Sequence, residues 1–153
     1  MMKNIGLFGG TFDPIHNGHL HIARAFADEI GLDSVIFLPA GDPYHKEASA
    51  GGADARVRLH MAELAVADEP CFAVSDCDVV REGATYTFDT VQIFRQHFPA
   101  AQLWWLMGMD SLLLPLQMGF NRQAVEMGVS PITGLMGKES MSLAPTVCND
   151  PSV

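Results

Sequence analysis

Residues 9–20 read GGTFDPIHNGHL, and the pattern around this stretch decides the fold. The run from Lys3 to Phe8 is mostly apolar and stops at two glycines, which is typical of a buried parallel strand entering a tight turn. From Leu20 onward apolar residues recur at helical spacing, Asn17 is able to cap the helix, and Gly31 stands where a helix ends. The sequence therefore predicts a strand, a glycine turn and a helix, in that order.

Strand and helix patterns continue to alternate after this unit. Ser34–Pro39, Cys71–Ser75 and Gln102–Met107 are short apolar runs that predict buried strands. Asp54–Ala67 and Thr87–Phe98 have apolar residues at helical spacing. Such alternation predicts an α/β fold, a Rossmann-like open parallel sheet with helices on both faces. The apolar positions are Val57, Met61, Leu64 and Ala65 in the first helix, and Val91, Phe94 and Phe98 in the second.

The regular pattern ends near Leu113. Beyond it charged residues become sparse and prolines frequent, and only residues 122–127 have the character of a short helix. We therefore expect one domain over residues 1–113 and an atypical segment over residues 114–153, without other assigned structure. The abrupt change suggests the hypothesis of a shifted reading frame or of an altered 3′ end of the coding sequence.

The composition excludes several classes of function. The chain has 153 residues, 48% of them hydrophobic and 18% charged, which is typical of a globular domain. The formal net charge of −9 argues against binding to a nucleic acid polymer, which depends on many Lys and Arg residues. No stretch is long and apolar enough for a membrane span, and three cysteines without metal-ligand spacing predict reduced thiols in a cytoplasmic protein. The oligomeric state, including a homo-oligomer, stays open.

The glycine turn has the features of a phosphate-binding site. A helix N-terminus after such a turn offers main-chain N–H donors and positive potential to an anion. His16 and His19 are three residues apart, so both imidazoles can face the space above the strand end, near the Thr11 hydroxyl. A lone histidine here would most simply be a surface residue, but the joint pattern favours a ligand. Neither G-x-G-x-x-G nor G-x-x-x-x-G-K-[ST] occurs, which excludes the two common nucleotide-binding motifs.

Four stretches of the sequence carry a resemblance to a known family. Gly9–Leu20 resembles the G-x-F-D-P-x-H-x-G-H signature of the nucleotidylyltransferase superfamily. Within that superfamily the chain resembles the bacterial nicotinate-mononucleotide adenylyltransferases, from Lys3 to about Leu113. The stretches that carry this closer resemblance are HNGHL at 16–20, FLPAGDPYHK at 37–46, REGATYTFDTV at 81–91 and GMDSL at 108–112.

The resemblance implies an activity and a set of site residues. The activity is transfer of an adenylyl group from ATP to nicotinate mononucleotide, which gives deamido-NAD and pyrophosphate in NAD biosynthesis. His16 and His19 would be the catalytic residues, and Mg²⁺ would arrive with ATP rather than occupy a dedicated protein site. The implied ATP-binding residues are Gly9, Gly10, Thr11, Phe12, His16, His19, Gly108 and Asp110. The implied residues for the mononucleotide are His45, Lys46, Thr85, Tyr86 and Thr87.

Other interpretations stay open beside this one. An exposed basic loop would explain His45 and Lys46, and helix capping would explain Thr87 and Asp110. The family also carries S-[ST]-x-x-[IL]-R near its C-terminus, whereas ESMSLAP at residues 139–145 has serines without the arginine. Two alternatives therefore remain: a nucleotide-binding chain with impaired catalysis, and a pantetheine-phosphate adenylyltransferase.

Overall fold

The computed structural model of the chain describes residues 2–41, 52–81, 87–108 and 129–134. Strands and helices alternate along these residues, as the sequence predicts. The elements are β1 (Asn4–Gly10), α1 (Asn17–Ile30), β2 (Ser34–Pro39), α2 (Ala55–Val66), β3 (Phe72–Val74), α3 (Cys77–Val80), α4 (Thr87–His97), β4 (Gln102–Gly108) and β5 (Val129–Gly134).

The strands form one parallel sheet with β1 at its centre. The strand order is β3-β2-β1-β4-β5, so β1 has a neighbour on each side. Leu7, for example, is aligned with Ile36 of β2 and with Trp105 of β4. After β3 the chain crosses back over β1 to form β4, so the topology reverses direction between β1 and β4. In open α/β sheets, ligands bind at the carboxyl ends of the strands at such a reversal.

Helices cover both faces of the sheet, and each face has its own apolar core. On one face, Ala23 and Phe26 of α1 belong to a buried cluster that includes Phe37 of β2. On the other face, Val91 of α4 belongs to a buried cluster that includes Leu7 of β1. This two-sided arrangement confirms the predicted α/β fold, an open parallel sheet with helices on both faces.

Helix α2 turns a different face toward the sheet from the one that its apolar spacing predicts. Val57 is 48% exposed and Leu64 is 64% exposed. The face made by these two side chains therefore lies toward solvent, and the predicted inward face is wrong. A stripe of small residues together with one arginine is buried instead. The buried residues of α2 are Ala55, Arg58, Ala62 and Val66.

The sheet continues beyond the point where the sequence pattern stops. Strand β5 lies beside β4 in parallel register, with Leu103 opposite Val129 and Gly108 opposite Gly134. The sequence assigned no strand to this segment. Pro131 explains the omission, since proline lacks a ladder N–H and lowers the expectation of a strand. Proline is tolerated at a sheet edge, and β5 is an edge strand among the described residues.

Two further expectations concern the redox state of the cysteines and the lack of a membrane-spanning stretch. Cys77 is a free thiol, but Cys71 is disulfide-bonded, so the expectation of three reduced thiols is wrong for Cys71. Within the described ranges, no helix combines the length and the apolar character that a membrane crossing needs.

Aromatic rings occupy the space next to the two glycines that end β1. A Cβ atom on Gly9 would lie 2.7 Å from the indole ring of Trp105, and one on Gly10 would lie 3.1 Å from the Phe12 ring. Trp105 is only 6% exposed and belongs to the core. Packing inside the fold is thus sufficient to require glycine at position 9.

We predict that Gly9→Ala destabilises the fold by about 1–3 kcal/mol, because the added methyl group overpacks against the Trp105 ring. Urea unfolding of a double-mutant cycle with Trp105→Leu checks the cause. If the clash is responsible, Gly9→Ala costs clearly less in the Trp105→Leu background. An equal cost in both backgrounds would contradict this explanation.

Candidate functional site

The loop after β1 carries the motif residues to the carboxyl edge of the sheet. β1 ends at Gly10, α1 begins at Asn17, and the Asp13–Pro14 peptide bond between them is cis. Phe12 has a φ of 52°, in the left-handed region that residues other than glycine rarely adopt. The loop is therefore a compact, specifically shaped turn at the central strand.

Phe12 anchors this turn in the core. The residue is 3% exposed, and its ring packs edge-on against Phe8 at a centroid distance of 5.5 Å. The same ring contacts the His19 imidazole edge-on at 5.0 Å. Because its ring is packed in the core, Phe12 would contact a ligand through its main chain rather than through its side chain.

The two histidines of the motif cap α1 reciprocally. His16 is the N-cap residue, and its Nδ1 accepts the Gly18 N–H at 3.0 Å. The Nδ1 of His19 in turn accepts the His16 N–H at 3.1 Å. The expectation that Asn17 caps the helix is wrong, since Asn17 is already the first helical residue. Imidazoles here take the acceptor role that carboxylates, amides or hydroxyls usually take in a capping box.

This capping determines which nitrogen of each ring carries the proton. A neutral imidazole has one N–H donor and one bare acceptor nitrogen. Since the Nδ1 atoms of His16 and His19 both accept main-chain N–H groups, the protons lie on the Nε2 atoms. The rings are stacked with centroids 3.9 Å apart and an interplanar angle of 29°. The structure thus brings the two imidazoles together, as the sequence predicts, with two Nε2–H donors directed away from the helix backbone.

The electrostatic environment of this pair suits an anion. Burial, and secondarily the neighbouring His16, lowers the pKa of His19 below its usual value of 6.5. His19 is therefore neutral at pH 7, and its Nε2–H is able to donate a hydrogen bond to a ligand without carrying a charge. The first turn of α1 contains no acidic residue, although the chain as a whole has a net charge of −9. The positive end of the helix dipole is thus not neutralised by the helix itself.

A comparison with known families matches the stretch of sequence that contains this site. The cytidylyltransferase-like family matches residues 7–130. This range includes the turn, both histidines, all of β2, β3 and β4, and parts of β1 and β5. The chain belongs to the cytidylyltransferase-like family. The matched range includes the site, since the turn and the start of α1 lie within it.

Curated relatives of this family member share its sequence over most of its length. A protein of Neisseria meningitidis serogroup C (strain 053442), named "Probable nicotinate-nucleotide adenylyltransferase", is 80% identical over 113 residues, which is 73% of this chain and 56% of the relative. A protein of the same name from Gloeobacter violaceus is 45% identical over 112 residues, which is 73% of this chain and 54% of the relative. The chain spans about half the length of the curated relatives it matches.

Solved structures support the fold. A Vibrio parahaemolyticus protein described as a nicotinate-nucleotide adenylyltransferase has a TM-score of 0.69 at 16% identity, covering 91% of this chain and 77% of that one. The Plasmodium falciparum nicotinic acid mononucleotide adenylyltransferase, solved in complex with NaAD, has a TM-score of 0.62 at 12% identity, covering 89% of this chain and 76% of that one. At these identities the likeness concerns the fold alone.

Some of the remaining predicted site residues of this chain lie at the ends of strands and helices or in the turn. The others lie outside the described residues. Gly108 ends β4, the strand next to β1, and Thr11 is exposed on the turn itself. Thr87 is the first residue of α4. No cluster of metal-ligating side chains occurs among the described residues. The predicted residues that lie outside the described residues are His45, Lys46, Thr85, Tyr86 and Asp110.

Two residues that sequence reasoning missed tie the turn to α2. The Asp13 carboxylate accepts the Ala53 N–H at 3.1 Å, and Arg58 donates to the Thr11 carbonyl at 2.8 Å. Asp13 is part of the motif, but the sequence predicts no bond from it to the residues before α2. Arg58 interrupts a stripe of small residues on α2, and that interruption was the available signal.

We predict that the stability of the protein falls as the pH is lowered from about 7 to below 6. The folded chain holds the pKa of His19 below its value of about 6.5 in the unfolded chain, so the unfolded state binds more protons in this range. The contribution of His19 is complete above pH 6.5 and is lost as the pH falls toward the folded pKa. Urea unfolding at a series of pH values measures the slope.

His19→Asn is the control for this prediction. Asparagine places an acceptor where His19 has Nδ1, but it does not titrate in this range. Its stability should fall less steeply with decreasing pH than that of the natural sequence. Equal slopes for the two proteins would show that His19 does not carry the effect.

Proposed function

We propose that this chain transfers the adenylyl group of ATP to nicotinate mononucleotide, giving deamido-NAD and pyrophosphate. The motifs resemble those of enzymes with this activity, and the curated relatives carry the corresponding name. The observation that carries the proposal is the pair of stacked imidazoles, whose capped Nδ1 atoms leave two Nε2–H donors at the N-terminus of α1.

The reaction suits a site made of donors rather than of a nucleophile. A phosphate oxygen of the mononucleotide attacks the α-phosphorus of MgATP in line, and the bond from that phosphorus to the pyrophosphate oxygen breaks. Negative charge grows on the transferring group and on the leaving pyrophosphate. The Nε2–H groups of His16 and His19, together with main-chain N–H groups of the turn, would stabilise that charge. Positioned donors of this kind typically contribute about 10²–10³ in rate each.

The acceptor nucleotide would lie beside the triphosphate, along the carboxyl edge of the sheet. The N-terminus of α4, which begins at Thr87, is a suitable place for the nicotinate carboxylate, since unpaired main-chain N–H groups occur at helix starts. Thr85 and Tyr86 precede this helix in sequence, and His45 with Lys46 follows β2. We propose these residues as contacts of the mononucleotide, and Asp110, which follows β4 in sequence, as a contact of the adenosine ribose.

We predict that His16→Asn retains the fold but lowers pyrophosphate release at least 100-fold. Asparagine supplies an acceptor near the Nδ1 position and is a strong N-cap, so the Gly18 N–H stays capped. It has no donor at the Nε2 position, so the transition state loses a hydrogen bond. The assay uses the full chain with ATP, Mg²⁺ and nicotinate mononucleotide, and thermal unfolding verifies the fold.

His21→Asn is the matched control, because His21 is an exposed residue of the same helix outside the turn. It should retain the activity of the natural sequence. His16→Gln, which keeps a distal donor but moves the acceptor, should be less stable than His16→Asn and lose less activity.

The alternatives make different predictions in the same assay. Binding of MgATP in a calorimeter without pyrophosphate release from any acceptor would indicate a nucleotide-binding chain with impaired catalysis, which the missing arginine of ESMSLAP favours. Release with phosphopantetheine but not with nicotinate mononucleotide would indicate the pantetheine-phosphate enzyme. Either result would reject the proposed reaction.

A further inference from the structure

Arg58 is a buried cation that contacts the main chain of the turn after β1. It is 2% exposed and is the largest fully buried side chain among the described residues. It lies on the second turn of α2, and none of the motifs that resemble the nucleotidylyltransferases includes it. A fully buried arginine must use its donors, because an unpaired buried N–H group costs free energy.

The guanidinium bonds to main-chain carbonyls from separate segments. Its Nη1 donates to the carbonyl oxygens of Thr11 and Ala40, each at 2.8 Å. Its Nε donates to the carbonyl oxygen of Ala53 at 3.1 Å. Thr11 belongs to the turn after β1, Ala40 follows β2, and Ala53 precedes α2. The rigid planar fork of arginine is suited to several acceptors at once, which a lysine ammonium cannot match in the same geometry.

Two further hydrogen bonds close a ring around this guanidinium. The Asp13 carboxylate accepts the Ala53 N–H at 3.1 Å, and the Gly10 carbonyl accepts the Ala40 N–H at 2.8 Å. The turn is therefore connected to Ala40, after β2, and to Ala53, before α2, by one main-chain bond, by the Asp13 carboxylate and by Arg58. We call this set of bonds the Arg58 ring.

The bond to Thr11 also fixes the orientation of the Thr11–Phe12 peptide unit. The Thr11 carbonyl and the Phe12 N–H belong to one planar peptide unit, and in a trans peptide they point in opposite directions. Because the carbonyl points at Arg58 in the interior, the Phe12 N–H points away from it. Phe12 as a whole is 3% exposed, and this N–H is its one hydrogen-bond donor, so it is the group with which Phe12 would bind an anion.

We propose that Arg58 is a positioning residue, which orients the Thr11–Phe12 peptide toward the phosphates of ATP and couples the turn to both ends of the β2–α2 segment. The proposal rests on the proposed function for the identity of the ligand. Loss of the Arg58 ring would let the peptide rotate and would reduce the affinity of the turn for a triphosphate.

The test compares Arg58→Lys with the natural chain and with Arg56→Lys, an exposed position on the same helix. Calorimetry should show at least 10-fold weaker MgATP binding for Arg58→Lys and less than a 2-fold change for Arg56→Lys. Amide hydrogen exchange, which reports local opening, should be at least 10-fold faster at Ala40 and Ala53 in Arg58→Lys.

The Val57 amide separates a positioning role from a merely structural one. It donates to the Asp54 carboxylate at the start of α2, outside the Arg58 ring. If Arg58 only anchors the helix, exchange at Val57 and Ala53 would accelerate together and MgATP affinity would stay unchanged. That result would overturn the proposal. Neither readout requires the mononucleotide, so absence of turnover would reject the proposed reaction without affecting this test.

A measurement on the natural chain covers the case in which Arg58→Lys does not fold. The Nε–H resonance of Arg58 in an NMR spectrum should shift when MgATP is added, because ligand and guanidinium act on the same peptide unit. An unchanged resonance at saturating MgATP would overturn the proposal.

Discussion

The main-chain N–H groups at the start of α1 need acceptors, and the site depends on the fact that histidines provide them. An aspartate or serine would cap this helix equally well, but its side chain would have no second nitrogen with which to donate to a ligand. An imidazole has a second nitrogen about 2 Å beyond the first, and when Nδ1 is bare the proton must be on Nε2. The bond that caps the helix through Nδ1 of His16 or His19 therefore also places the ring proton on Nε2, where it is available to a ligand.

The rest of the fold holds this pair at a useful place. β1 is the central strand, and the reversal of the topology between β1 and β4 leaves space for a ligand above its carboxyl end. The Phe12 ring lies under His19, while the Trp105 ring packs beside Gly9. From α2, Arg58 holds the carbonyl of Thr11. Apolar packing thus sets the position of the turn, and buried hydrogen bonds set the orientation of its peptides.

Much of this arrangement was predictable from local sequence, and the remainder depended on tertiary contacts. The bounds of β2 match the prediction, and the helix stop at Gly31 is confirmed by its φ of 77°. The predictions failed where a residue took an unusual partner. Asparagine is a common cap and histidine is not, so the sequence predicts Asn17 as the cap where the structure has His16. Periodicity gives no information on the carbonyl oxygens that bind the buried Arg58. Pattern reasoning therefore located the turn but not the bonds that shape it.

The most direct test of the central claim is a ¹⁵N NMR spectrum of the two imidazoles, recorded at neutral pH before and after addition of MgATP. The paired capping predicts that both rings have bare Nδ1 and protonated Nε2 in the free protein, and that both Nε2 resonances move on binding while the Nδ1 atoms stay acceptors. Nδ1-protonated rings, or Nε2 resonances that do not respond to saturating MgATP, would contradict it.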